Sequence, residues 1–426
     1  MASRRTLNLL AATMLGTMDS NAIVPVIALY AQHVGADLVQ IGVIVGLFSA
    51  VHAPANLFFG RIADRIGRKL PLQFGLLWDS VSTFLYAFAT TPLLLAAVRI
   101  SHGIGSGLVG PSSMALMADS SPRDRRGRAM GMYGMAIALA VVIGFGIAGP
   151  IVDRLGYPVL FYGLSAGLLV GFVLSVPIAD PRQPPLPVLW RRWVAWARRL
   201  VGVRTADVPE SERASPETMP WRRLLDHARQ PAPAGGYTAI FSLYFILGAF
   251  VTLVPLHLQR ELGYGALAVG LSFTAFAVLS LLLHYPAGIL ADRFGSAATA
   301  LIGLVAVAIA MGLIPLVQDL RTLILLMALF GVGHGFVFPS ASSLVTRGSD
   351  PKQHGLVTGL LYALLVTGVA IGAPLMAAVA SLATFGFGIW ASSWISLVGI
   401  LFLAHSLLSR DSASGLVSSP ASSPGP

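Results

Sequence analysis

Gly60-Arg61-Ile62-Ala63-Asp64-Arg65-Ile66-Gly67-Arg68-Lys69 stands between two apolar runs, residues 41–59 and 70–90. A turn so short and so charged, between two segments of membrane-crossing length, belongs at a water interface. It also has an echo. Gly288-Ile289-Leu290-Ala291-Asp292-Arg293-Phe294-Gly295 repeats its first part 228 positions later.

The offset recurs. Gly105 falls on Gly333, Gly107 on Gly335, Pro111 on Pro339, Ser112 on Ser340, Gly131 on Gly359 and Gly144 on Gly372. Near the first run the match slips by two, and Val24-Pro25 aligns with Val254-Pro255. One register held through most of five helices makes the chain two homologous six-helix halves in the same orientation. A parallel repeat of this kind, about an axis along the membrane normal, is a transporter architecture with its site at the interface between halves.

Composition sets the solvent. Hydrophobic residues are 55% of the chain and charged residues 11%, where soluble domains carry about 25% charged. The chain is therefore an integral membrane protein. Its 45 glycines suit close helix packing in lipid. With no cysteine, disulfides, thiolate metal sites and cysteine catalysis are excluded. No nucleotide loop, nucleophile motif or metal-ligand spacing is present, so neither an enzyme nor a cofactor is expected.

Twelve apolar runs are long enough to cross a bilayer, from residues 7–30 to 385–408. The expected divisions are an all-α bundle over 1–180, a linker over 181–233, a second bundle over 234–410 and a disordered tail over 411–426. Arginine and lysine collect on one side: Arg4, Arg5, the 61–69 turn, Arg123 to Arg128, the linker, Arg293, Arg347, Lys352 and Arg410. The other side holds Arg154, Arg260 and Arg321. The positive-inside rule places both termini in the cytoplasm. The net charge of +10 is then a topology signal, and nucleic-acid binding is not expected. Within the linker, Leu189, Trp193, Trp196 and Leu200 share one helical face opposite Arg191, Arg192, Arg198 and Arg199. That pattern suits a helix lying on anionic lipid.

Arg99 is the only Arg or Lys inside an expected run rather than at its end. At a span centre Arg costs about 2.5–3.5 kcal/mol on insertion scales, so such a residue is usually functional and needs a partner. Asp19, midway along the first run, is the candidate. Arg99, His102 and Ser106 share one helical face. The repeat puts Met327, Phe330 and His334 on the equivalent face of the second half. Charge in one half and soft apolar surface in the other suit an amphipathic organic substrate. Tyr133, Phe241, Tyr244 and Phe245 are further candidates for the wall, or plain packing residues. Asp79, whose repeat position is Val307, has no assigned role.

The Gly60 to Lys69 stretch resembles the loop signature between helices two and three of the major facilitator superfamily. Arg99-Ile-Ser-His-Gly-Ile-Gly-Ser-Gly is similar to that superfamily's fourth-helix motif, and Asp19 with Pro25 resembles the first-helix pattern of its drug:proton antiporters. On helix five, Gly144-Phe145-Gly146 departs from the antiporter motif, which carries Gly-Pro there. The resemblance implies two six-helix bundles, helices one and four lining a central cavity, and a monomer in the bacterial inner membrane. It implies that Asp19 takes and releases the coupling proton, with Arg99 tuning it. Motion that parts the two would change the affinity for a proton.

The resemblance also implies a conformational gate built from Gly60, Asp64, Arg65, Gly67, Arg68 and Asp119, with Asp292 and Arg293 as a reduced copy. In this reading Gly60 permits close helix approach, and Asp64 sits at a helix N-terminus where the dipole favours an anion. Proton-driven export of small amphipathic molecules is the leading expectation. Symport or uniport of a nutrient, and lipid flipping, are the alternatives.

Overall fold

The computed structural model describes residues 4–121, 126–180, 221–347, 349 and 354–417, without the side chains of 64–66, 126–127, 221–223, 354–356 and 410–417. Among the described residues every regular element is helical. In order these are α1 (Arg4–Ile23), α2 (Ile27–His33), α3 (Leu38–Ile66), α4 (Lys69–Tyr86), α5 (Pro92–Asp119), α6 (Arg126–Leu155) and α7 (Tyr157–Ser175). Then follow α8 (Trp221–Arg229), α9 (Pro231–Arg260), α10 (Ala266–Phe294), α11 (Ser296–Leu313), α12 (Leu320–Thr346), α13 (His354–Leu382), α14 (Phe385–Ser393) and α15 (Ile395–Val417). The expected surface helix over 189–200 lies outside the described residues.

Among the described residues ten helical segments are long and apolar enough to cross a membrane, or eleven with the bent pair α1–α2 as one. Twelve were expected. The shortfall is α4, an 18-residue helix. Asp79, Ser80, Ser82 and Thr83 lower its hydropathy, and all four are buried. The α1–α2 break is a 52° bend around Pro25, as expected where proline cannot continue the hydrogen-bond ladder. The tail also differs from expectation. α15 continues to Val417, since nothing before Pro420 forbids helical backbone.

The chain forms two compact units, Met1–Val24 with Ala50–Met219, and Pro25–Ser49 with Pro220–Pro426. Residues 25–49 thus belong with the second unit and not with the 1–180 bundle expected for them. Small residues are the reason. A Cβ placed on Gly42 would stand 2.5 Å from the Ala377 Cβ and 2.7 Å from the Ala373 carbonyl, and one on Gly46 would stand 2.9 Å from the Ala370 carbonyl. α3 therefore lies backbone against backbone on α13, a contact only glycine permits.

Within each unit the repeat is visible in the packing. Gly105 of α5 abuts Asp79 of α4, and Gly333 of α12 abuts Val307 of α11. Gly75 faces the Gly105 carbonyl, and Gly303 faces the Gly333 carbonyl. Positive φ recurs at the same offset, at Gly35 (87°) and Gly263 (73°), and at Gly67 (96°) and Gly295 (94°). Even the helix caps match. The Thr91 hydroxyl accepts the Leu94 N–H, and the Asp319 carboxylate accepts the Thr322 N–H.

Candidate functional site

Unit one holds a buried polar cluster where α1, α4 and α5 meet. Asp19, Asp79, Arg99 and His102 are 1%, 0%, 2% and 0% exposed. Helical spacing puts Arg99, His102 and Ser106 on one face of α5, and Gly75 and Gly105 let α4 press onto it. Charged groups in an apolar bundle survive only in each other's company, and the cluster is wired accordingly.

Asp19 Oδ2 and His102 Nε2 are 2.9 Å apart. The other imidazole nitrogen, Nδ1, lies 3.1 Å from the Tyr86 hydroxyl. Arg99 Nη1 donates to that same hydroxyl at 3.4 Å. The expected Asp19–Arg99 pairing is thus relayed through His102 and Tyr86. Ser106 donates to Asp79 Oδ2 at 3.0 Å. Ligating atoms of Asp19, Asp79 and His102 all lie within 4.8 Å of one another. The histidine spacing gave no expectation of a metal site; the fold brings these three side chains, scattered in the sequence, to one place. Tyr86 was missed altogether, and its signal is only the tertiary placement of a lone Tyr at the end of α4.

The second unit carries a different chemistry at equivalent positions. His334 Nδ1 bonds the Ser280 hydroxyl at 2.7 Å, and its Nε2 lies 3.3 Å from the Tyr244 hydroxyl. The His334 ring packs among Phe276, His284 and Phe338. Phe330 stacks on Phe250 with centroids 4.5 Å apart. Met327 and Phe330 are buried in the core of this unit, so they serve its packing where an accessible wall was expected. Phe241 and Phe245 lend their backbones to close approach by Gly368 and Gly372 of α13. Tyr133, near-buried, lies 3.1 Å from the Ser113 hydroxyl and donates to the Gly110 carbonyl, and so ties α6 to α5.

The charged turn is tied down in unit one. Arg68 Nε donates to Asp119 Oδ2 at 3.0 Å, with both side chains nearly buried. The backbone N–H groups of Arg68 and Lys69 donate to Asp180 Oδ2. Asp180 thereby takes the helix-start role expected of Asp64, since Asp64 lies in the last turn of α3. The side chains of Asp64 and Arg65 lie outside the described residues. Gly60 was expected to permit close approach, yet a Cβ there would meet only Pro111, at 3.8 Å. The glycine requirement falls on Gly67. Asp292 and Arg293 are exposed and form no ion pair among the described residues.

The family profile described as Major Facilitator Superfamily matches residues 9–234 and 236–423. The chain belongs to the major facilitator superfamily. An uncharacterized MFS-type transporter of Methanocaldococcus jannaschii is 34% identical over 169 residues, 39% of this chain and 43% of that one. Quinolone resistance protein NorA of Staphylococcus aureus is 29% identical over 162 residues, 38% of this chain and 42% of NorA. The matched part thus spans about two fifths of these curated relatives. Among solved structures, an inward-facing bacterial homolog of the human lysosomal transporter Spinster superposes with TM-score 0.76 at 16% identity, covering 99% of this chain and all of that one. A POT family transporter in complex with 5-aminolevulinic acid gives TM-score 0.73 at 14% identity, covering 96% and 97%. At such identities these neighbours establish the superfamily fold alone.

Proposed function

We propose that the protein is a secondary active transporter that exports small amphipathic, drug-like molecules in exchange for protons by alternating access. The observation that carries the reading is the fully buried Asp19–His102 contact, extended through Tyr86 to Arg99. A carboxylate sealed in an apolar bundle changes its partners when its protonation changes, and that difference can bias one conformation over another. Asp19 takes and releases the proton. His102 and Tyr86 link it to Arg99, the cation that responds to its charge. Arg68–Asp119 is a latch at the 61–69 turn. The likeness to NorA, partial as it is, supports export of quinolone-like drugs. The arginine distribution supports cytoplasmic termini, the likeness to NorA of Staphylococcus aureus supports a bacterial inner-membrane protein, and a monomer is the simplest working form.

The test is transport by the purified protein in proteoliposomes under an imposed proton gradient, across cationic dyes, quinolones and sugars. Dye or quinolone efflux that runs on the gradient is expected, with coupling lost in Asp19→Asn. Sugar accumulation in place of efflux, or full coupling in Asp19→Asn, overturns the reading.

A further inference from the structure

α4 and α11 occupy the same place in the two units, but their first turns are served differently. α4 begins beside Arg68 and Lys69, whose backbone N–H groups donate to Asp180, and the Arg68 side chain donates to Asp119. At the offset of 228, Arg68, Lys69, Asp119 and Asp180 become Ser296, Ala297, Arg347 and Leu408. Neither acid is kept in the second unit, and an arginine stands where one of them was. α7 ends at Ser175, which lets the chain return Asp180 to α4. α15 runs on to Val417, so position 408 stays on a helix and offers no carboxylate. The demand for an anion remains. α11 has no side-chain cap bond and no acid in its first turn, and the leading N–H groups of a helix lack intrahelical acceptors and carry partial positive charge.

A cleft of about 340 Å³ opens at this point, within the second unit. Ligand pockets run from about 300 to 1,000 Å³. Ala297 lines it together with Arg347 from the end of α12, Gln230 from the start of α9, and Ser406 and Ser409 of α15. No acidic residue is among those that line it. The nearby carboxylates in sequence, Asp226 and Asp292, are exposed and lie off its wall. Arg347 forms no ion pair among the described residues. Ser406 is 6% exposed. Its carbonyl accepts from Ser409, while its hydroxyl makes no hydrogen bond among the described residues. His227 Nε2 lies 2.8 Å from the Val345 carbonyl, which pins α8 to the last turn of α12 and so sets Gln230. A guanidinium, a buried hydroxyl and a helix start thus meet in one cleft.

We propose that this cleft binds the phosphate group of an anionic phospholipid. Phosphodiester oxygens accept hydrogen bonds from a guanidinium, a hydroxyl and the N–H groups of a helix start, the three kinds of donor gathered here. The phosphate supplies from outside the chain the charge that Asp180 supplies in the first unit. Apolar surface beside these donors points to a lipid. Leu344 and Leu407 line the same cleft. Phe294, next to the Gly295 turn, is 70% exposed, and Leu408, between Leu407 and Ser409, is 68% exposed. Acyl chains cover such side chains, whereas a free phosphate would use the polar wall alone. The arginine distribution assigns this end of the helices to the cytoplasmic face, where anionic lipids gather and basic pockets between helices hold their headgroups. Such a site is independent of the transported substrate and of the coupling ion.

The experiment uses the full chain, delipidated in a neutral detergent. Phosphatidylglycerol or phosphatidylcholine is titrated in, with and without inorganic phosphate, and bound lipid is counted by native mass spectrometry. The expected result is retention of phosphatidylglycerol over phosphatidylcholine, with no displacement by phosphate at equal concentration. Arg347→Gln weakens the tightest phosphatidylglycerol site roughly fivefold, the loss of one basic contact at a membrane surface. Ala297→Asp abolishes that site, because it sets a carboxylate on the cleft wall. Arg293→Gln, at an exposed arginine off the wall, leaves it unchanged. Equal retention of the two lipids overturns the proposal, as does native binding in both cleft variants or an equal loss in Arg293→Gln. Displacement of the lipid by phosphate also overturns it, since the ligand would then be a free anion. Should Ala297→Asp fail to yield monodisperse protein, Arg347→Gln, at an exposed position, carries the same test.

Discussion

Asp79 and Val307 occupy the same place in the two units, each pressed against the glycine one helix away, Gly105 or Gly333. One is an acid and the other a branched apolar side chain. If Asp79 serves function, Asp79→Val should fold well and work badly. A buried carboxylate with one oxygen left without a hydrogen bond carries a desolvation cost that a packed valine does not. The expected outcome is an unchanged or raised thermal midpoint in detergent together with loss of gradient-driven transport. A destabilised variant that still couples would show that the carboxylate is structural.

The repeat was legible from glycines and prolines because those residues answer to backbone geometry, which both units share. Gly67 and Gly295 look alike in sequence because both backbones turn through positive φ there. The polar cluster was only half legible. Arg99, His102 and Ser106 lie on one helix and obey its period, so their common face could be read directly. Asp79 and Tyr86 reach the cluster from α4, and no local pattern reports which face of one helix meets which face of another. Asp180 was invisible for the same reason, since it caps a helix more than a hundred residues earlier. The division of the chain inside α3 was hidden too, because it depends on which partner Gly42 and Gly46 meet.

Arg68 and Asp119 form a near-buried ion pair between the charged turn and the end of α5. A double-mutant cycle with Arg68→Ala, Asp119→Ala and the double variant should give a coupling energy of about 0.5–3 kcal/mol in thermal stability. Each single variant should lose more than an exposed pair would, because it strands a partly desolvated charge. Simple additivity of the two variants would mean that the contact is incidental to the turn.

Asp319 starts α12 outside the membrane-spanning segments, and its carboxylate accepts the Thr322 backbone N–H. That bond holds its pKa below the usual carboxylate value. A lowered folded-state pKa stabilises above the unfolded-state pKa, and the contribution is lost as pH falls through the folded-state value. Asp319→Ala should therefore melt at a lower temperature than the native protein at pH 7. The gap should close as pH drops below about 4, the unperturbed aspartate value. A gap that persists in acid would place the effect elsewhere than in the charged cap.

Gly60 and Gly67 open and nearly close the same charged stretch, and they should respond oppositely to alanine. At Gly60 a Cβ has ordinary van der Waals room within a continuous helix. Gly60→Ala should be neutral or stabilise by up to about 1 kcal/mol, through helix propensity and a less flexible unfolded chain. At Gly67 the backbone has φ of 96°, where an L side chain costs roughly 1–2 kcal/mol. That strain falls on the turn whose next two N–H groups are held by Asp180 and whose next side chain holds Asp119. Gly67→Ala should lower the melting temperature and slow transport together. Combined with Asp119→Ala it should cost less than the sum of the two, because both act on one latch. Equal melting of the Gly60→Ala and Gly67→Ala proteins would refute the assignment of the glycine requirement to Gly67.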